Sequence, residues 1–380
     1  MSVTIECSIG EILDKITILD IKCEELKDEN RLNDCKKERE SLLNNISHLY
    51  NKTLDYYRKI LRKINKQIWD DQEVLRVEED DLKYGKISKK VIIDNDARFR
   101  VKKIINTYFN SGLREQKSYI NKGCLVASHL GLGDSINISP AVRYLSTLYD
   151  KIIVPVKDKY VENMKLIYSD NPFIEIVSIP NNPIEVTLIN QMINEYKQKN
   201  YDIYSSGGYK GSSSYIGTEF VPKGFYMDME LNYNDIYQSR DWFFCNDLID
   251  RSILEEVKKY NIIVVHKDSS TIKVNSILNK IKDKLQDTNT LVIDLCENQY
   301  TKENEVKYNL AQYFVYKPLS YYSTIIEECN EIYLTDSSIF CMTIQLNLKA
   351  IIKECYIRES TEERIKIYEK IDSRFTYYNV

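Results

Sequence analysis

Glycine and proline are scarce in this chain, 11 and 7 among 380 residues, and histidine is scarcer still at three. No proline precedes Pro140, and no glycine lies between Gly10 and Gly85. So long a stretch without either helix breaker excludes a loop-rich N-terminal part and favours helices. No window approaches about 18 consecutive apolar residues, which excludes a spanning helix. Basic charge is not in excess: 53 Lys and Arg face 57 Asp and Glu, a net charge of −4, so nucleic acid is not an expected partner. The start has no basic segment leading into an apolar core, and the expected location is cytoplasmic. The nine cysteines are scattered without a C-x-x-C pair, which reads as free thiols in a reducing compartment. No H-E-x-x-H, G-x-S-x-G or Walker loop is present. Asp228-Met229-Glu230 has no third ligand nearby, so it reads as connector, and no metal site is expected.

What is present divides the chain. Ser8 followed by Glu11 is a capping box, and Ile9, Ile12, Leu13, Ile16, Leu19 and Leu26 form one helical stripe behind it. A second stripe runs from Leu32 to Trp69 and predicts one helix of that whole length, about 55 Å at 1.5 Å per residue. A third helical segment is expected over 95–119. Helices this long need partners, so residues 1–121 read as an antiparallel hairpin or bundle with coiled-coil character, suited to oligomerisation as a homodimer.

The texture changes at Asn121-Lys122-Gly123. Short apolar runs then alternate with helical stretches, with strands expected at 124–128, 151–156, 174–179, 202–205, 261–265, 289–294, 312–316, 331–335 and 349–353. Alternation of this kind predicts parallel sheets of βαβ units. The turn-rich stretch 206–241 reads as an interdomain crossing, giving an N-terminal α/β domain over 122–240 and a C-terminal one over 241–380. The tail from Ser360 reads as a helix packing back onto the first α/β domain.

Three strand tips carry polar loops, where ligands of open α/β sheets bind. The first, His129-Leu130-Gly131-Leu132-Gly133-Asp134, has glycines for close backbone approach and opens a helix. Ile136 stands where a dinucleotide fingerprint would want its third glycine. The second, His266-Lys267-Asp268-Ser269-Ser270-Thr271-Ile272-Lys273, offers the hydroxyls and cations that a diphosphate needs. The third, Asp336-Ser337-Ser338, lies between an apolar strand and an apolar helix.

On these residues the segment 123–355 resembles the GT-B glycosyltransferases, most nearly the lipopolysaccharide heptosyltransferase group (glycosyltransferase family nine). The likeness rests on Gly133-Asp134, on Pro140-Ala141 in the following helix, on the hydroxyl- and lysine-bearing loop 266–273, and on Asp336-Ser337-Ser338. Ser338 stands where that family has glycine. Residues 3–120 resemble a small helical bacterial domain of unknown function, through 8–19 and Ile64-Asn65-Lys66-Gln67-Ile68-Trp69-Asp70.

The resemblance implies an α/β, GT-B-like pair of Rossmann-type domains preceded by the helical part. It also implies a metal-independent, inverting transferase without cofactor, moving a hexosyl- or heptosyl-type sugar from a nucleotide-diphosphate donor to a glycan, lipid-linked or protein hydroxyl. Asp134 would be the general base and His129 would orient substrate. His266, Ser269, Ser270, Thr271, Lys273, Asp336, Ser337 and Ser338 would hold the donor diphosphate. Two other readings stay open: a GT-B-like sugar-nucleotide epimerase, whose carboxylates would be Asp134 with Glu297 or Asp294, and a non-catalytic nucleotide-binding scaffold.

Overall fold

The computed structural model describes residues 5–117, 122–128, 130–182, 184–216, 219–269, 272–358 and 361–380. Four helices come first: α1 (Ile9–Glu25), α2 (Glu29–Ile46), α3 (Lys52–Leu75) and α4 (Asp81–Tyr108). Ser8, Asp28, Asn51 and Asp80 each cap the helix that follows, a side-chain oxygen accepting the backbone N–H three residues on. The single helix expected from Leu32 to Trp69 is therefore two. A 3₁₀ turn at Ser47–Leu49 ends the first, and Asn51 is extended and starts the second with its own cap. The segment expected over 95–119 begins earlier, at Asp81, and stops at Tyr108.

Helix α1 packs against α2, α3 and α4. Asn65 donates to Asp14 Oδ1 at 2.7 Å and to Thr17 Oγ1 at 2.8 Å, and the Gly10 N–H donates to Asn106 Oδ1 at 2.8 Å. A Cβ on Gly10 would lie 2.8 Å from the Lys102 carbonyl oxygen, so glycine is what lets α1 approach α4. The marks at 8–19 and 64–70 therefore report a packed core.

From Gly123 strands and helices alternate: β1 (Gly123–Ala127), α5 (Leu132–Leu145), β2 (Lys151–Lys157), α6 (Val161–Ile167), β3 (Ile174–Ile179), α7 (Glu185–Gln198) and β4 (Asp202–Ser205). The crossing contains α8 (Lys223–Asp228) and one π-helical turn, Asn234–Gln238. Asp228 is not a ligand in waiting: it is buried, and it accepts from the Gly207 and Tyr215 N–H groups and the Ser214 hydroxyl. The second unit follows with α9 (Arg251–Val257), β5 (Asn261–His266), α10 (Ser276–Gln286), β6 (Thr290–Asp294), α11 (Glu305–Gln312), α12 (Ser323–Glu328), β7 (Glu331–Thr335), α13 (Ser338–Thr343), β8 (Ile352–Ile357), α14 (Glu362–Ile371) and β9 (Thr376–Asn379).

The strands form two sheets, β3-β2-β1-β4 and β6-β5-β7-β8-β9, and every pairing within them is parallel. This is the expected pair of Rossmann-type units behind a helical bundle. Three local expectations fail. No strand forms at 312–316, because α11 ends there in a turn that buries Phe314 and carries Tyr316 at positive φ. The strand expected at 349–353 forms at Ile352–Ile357. The tail is helical over α14 as expected and meets Arg240 through Asp372 at 3.5 Å, but it is built into the second unit: Phe375 and Tyr377 alternate inward, β9 becomes the fifth strand of the second sheet, and Arg374 donates to the Ile344 and Leu346 carbonyls. Among the described residues no helix is long and apolar enough to cross a membrane.

One buried pair joins the parts. Arg143 of α5 (side chain 1% exposed) meets Asp170 (0%) through two N–H···O bonds of 2.9 and 2.8 Å and donates again to the Ile167 carbonyl. Tyr57 of α3 donates to the same carboxylate at 2.6 Å, and the rings of Tyr56, Tyr168 and Phe244 surround the guanidinium. Removing one partner leaves the other charged and buried. Asp170→Ala is therefore expected to lower the unfolding free energy by about 3–5 kcal/mol. Urea unfolding followed by circular dichroism checks it; a loss below about 1 kcal/mol, the scale of an exposed pair, contradicts it.

Candidate functional site

In the first sheet the strand order reverses between β1 and β4, and in the second between β5 and β7. Crevices in open α/β sheets lie at the carboxyl ends of strands flanking such reversals. The three polar loops leave β1, β5 and β7, so topology alone brings them to those two switch points.

The two points meet because α5 and α13 pack directly on each other. A Cβ on Gly133 would lie 3.2 Å from Cys341 Sγ and 3.8 Å from Ser338 Cα, so the glycine is where the backbones come closest. One turn on, Asn137 donates to Cys341 Sγ at 3.6 Å, while its Oδ1 accepts from Tyr237 and its carbonyl from Tyr226, both at 3.0 Å. Glycine and asparagine thus fasten the first unit to the second at the base of a cleft.

That cleft has a volume of ≈ 880 Å³. The first unit contributes Gly131, Gly133, Asp134 and Tyr160, and the crossing contributes Phe220–Pro222. The second contributes His266, Asp268, Ser269, Asp336, Ser337 and Ser338, with Arg364 and Tyr368 from α14. Asp134 and the serine loop therefore share one crevice. Asp134 is in the first turn of α5, where the helix dipole favours its charge. Its carboxylate folds back over Gly131, Oδ2 lying 2.7 Å from where a Cβ would sit. The Cys341 thiol is pushed up by burial and then by Asp336 and Asp134, which places the Asp134 charge close to α13.

Burial pushes the pKa of His266 down to about 4, so the ring is neutral at neutral pH. Nδ1 lies 3.3 Å from Thr335 Oγ1 and 3.2 Å from Ser337 Oγ. Ser337 in turn caps α13, its hydroxyl accepting from the Phe340 N–H. His266 therefore orients the serine that starts α13. Asp336 accepts a hydrogen bond from the Tyr368 hydroxyl, which ties α14 to the tip of β7.

Not every expected residue reaches the cleft. Lys273 is 57% exposed, pairs with Asp268 at 3.5 Å and is absent from the cleft lining. His129, Ser270 and Thr271 lie outside the described residues. Arg364 is the lining cation among the described residues, and no local pattern marks it, since it lies in a tail helix expected to pack back onto the first α/β domain. Asp294 and Glu297 flank Lys267 at 3.4 and 2.9 Å, Asp294 also accepts from Gln299, and neither lines the cleft. No group of three or more His, Cys, Asp or Glu suited to a metal occurs among the described residues.

The low pKa of His266 has a consequence for stability. Between its unfolded value near 6.5 and its folded value of about 4, the unfolded chain takes up the proton and the folded chain does not. Stability from this group is present above about pH 6.5 and is lost as pH falls toward 4, amounting to about 3 kcal/mol. His266→Asn is expected to remove that share of the acid sensitivity. Urea midpoints of both proteins between pH 7 and 4 check it; parallel profiles contradict it.

No family model and no curated protein matches the sequence. Among solved structures the chain is similar to a glycosyl transferase family 9 protein from Veillonella parvula, at 12% identity over 68% of this chain and 86% of that one, with a TM-score of 0.43. It is also similar to the ADP-heptose LPS heptosyltransferase II of Escherichia coli, at 12% identity over 68% of this chain and 90% of that one, with a TM-score of 0.41.

Proposed function

We propose that this chain is a glycosyltransferase that moves a sugar from a nucleotide-diphosphate donor to a hydroxyl acceptor. The observation that supports it is the shared crevice: the carboxylate of Asp134 on one wall, the start of α13 and Arg364 on the other. The acceptor hydroxyl attacks the anomeric carbon, forming one C–O bond as the bond to the diphosphate breaks. Asp134 takes the hydroxyl proton, and the bonding electrons leave with the diphosphate. A single displacement of this kind inverts the anomeric centre. Negative charge grows on the leaving group, where Ser337, Ser338, the first amides of α13 and the Arg364 guanidinium are placed to receive it. Charge compensation by Arg364 and these donors is what makes the proposed reaction independent of a metal. The acceptor, a glycan, lipid-linked or protein hydroxyl, would enter past Tyr160 and Phe220 on the first unit's side. The proposed setting is the cytoplasm, where nucleotide sugars are the donors.

The epimerase reading counts on Glu297 or Asp294 beside Asp134, while the other carboxylates of the cleft include Asp268, paired with Lys273, and Asp336, which accepts from Tyr368. Asp294 and Glu297 are engaged with Lys267 outside the cleft, which disfavours it.

Nucleotide diphosphate release from a panel of nucleotide sugars tests the proposal. Asp134→Asn is expected to lower kcat by about 10²–10⁴ with donor KM little changed. Arg364→Ala is expected to raise donor KM roughly ten- to a hundredfold, the loss of a charge-assisted contact. Isomerised donor without transfer, or nucleotide binding with no turnover on any donor, contradicts it.

A further inference from the structure

Helix α14 turns one face into the cleft: Arg364, Ile367, Tyr368 and Ile371, spaced by three and four residues, all line it. The Tyr368 ring is held from two sides. Its centroid lies 5.9 Å from that of Phe340 on α13 and 5.6 Å from that of Tyr377 on β9. Its hydroxyl donates to Asp336 Oδ2, and the Arg364 guanidinium, one helical turn back, hydrogen-bonds to the same hydroxyl. A phenol both donates and accepts, so it can give its proton to the carboxylate and receive one from the guanidinium. The hydroxyl therefore stands between an anion and a cation.

Asp336 makes that position matter. It directly precedes Ser337, the cap of α13, and its charge is felt at the buried thiols of Cys341 and Cys355. A carboxylate so near the start of α13 opposes the binding of a diphosphate there. Pairing Arg364 directly with Asp336 would neutralise the carboxylate, but it would also turn the cation away from the cleft. A neutral phenol between them satisfies the carboxylate and leaves the guanidinium its charge and its remaining donors. Arg364 is exposed, and a long exposed side chain loses rotamer freedom when it grips a ligand. A fixed hydroxyl one turn away lessens that loss by holding the guanidinium in place beforehand.

We propose that Tyr368 is a positioning residue for the donor: anchored on Asp336, its hydroxyl holds the Arg364 guanidinium where the diphosphate binds. This role rests on the reading of the cleft as a donor site, and it shows in binding as well as in turnover.

Isothermal titration calorimetry of the full chain with the diphosphates of adenosine, guanosine, uridine and cytidine tests it, alongside donor kinetics. Tyr368→Phe keeps the ring and removes the hydroxyl. It is expected to raise the Kd of the nucleoside diphosphate that binds by about tenfold. Donor KM is expected to rise by a similar factor, with a smaller fall in kcat. In an Arg364→Ala background the same substitution is expected to change Kd by less than about twofold, because the hydroxyl acts through the arginine. Circular dichroism of each variant separates lost binding from lost folding. Coupling of this kind supports the inference even where no donor is turned over, an outcome that contradicts only the transferase reading. A folded Tyr368→Phe protein that binds diphosphate like wild type overturns the inference. So does equal weakening with and without Arg364, the mark of a merely structural role, or a wild type that binds none of the four diphosphates.

Discussion

The placement of α5 depends on the buried pairing of Arg143 with Asp170, and much of the molecule depends on α5. At its C-terminal end the helix is locked to the first sheet's α6 and, through Tyr57, to the helical bundle. At its N-terminal end Gly133 and Asn137 press against α13 of the second unit. A single helix therefore carries both the fastening of three structural parts and the carboxylate that faces the cleft. A buried ion pair is a poor source of net stability, because two charges leave water to form it. Its value here is geometric: a bidentate pair with a third donation fixes the helix in one rotation, and the rotation decides where Asp134 points.

The second wall is built on a different principle. His266 is uncharged, and its contribution is a hydrogen bond that sets Ser337, which in turn holds the first turn of α13 open toward the crevice. Fixed donors of this kind need not reorganise when charge appears on a leaving group. Positive charge comes from elsewhere in the chain, from Arg364 on a helix that the Tyr368–Asp336 contact ties to the same strand tip. Lys267, though next to His266 in sequence, faces away and neutralises Asp294 and Glu297.

The alternation of apolar runs with helical stretches made the two parallel sheets legible, because strand period and length are local properties. Gly133-Asp134 and Asp336-Ser337-Ser338 were legible as strand-tip loops for the same reason. Asn51 was not recognised as a break, since the apolar stripe runs through it and only the cap geometry interrupts the helix. The run at 312–316 is apolar enough for a strand, but a helix end buries it equally well. Arg364 could not be found from sequence. Its place in the cleft follows from β9 joining the second sheet, a long-range pairing that no local pattern announces. Lys273 is expected beside the diphosphate because it lies in the same loop as His266, whereas the cleft is assembled from residues more than two hundred positions apart.

A crystal structure of the protein with a nucleotide diphosphate bound is the most direct measurement. The diphosphate is expected between the start of α13 and the Arg364 guanidinium, with its terminal phosphate turned toward the Asp134 side of the cleft. A nucleotide seated elsewhere on the molecule, or seated at α13 with Asp134 facing away from its terminal phosphate, would contradict a transferase built on this crevice.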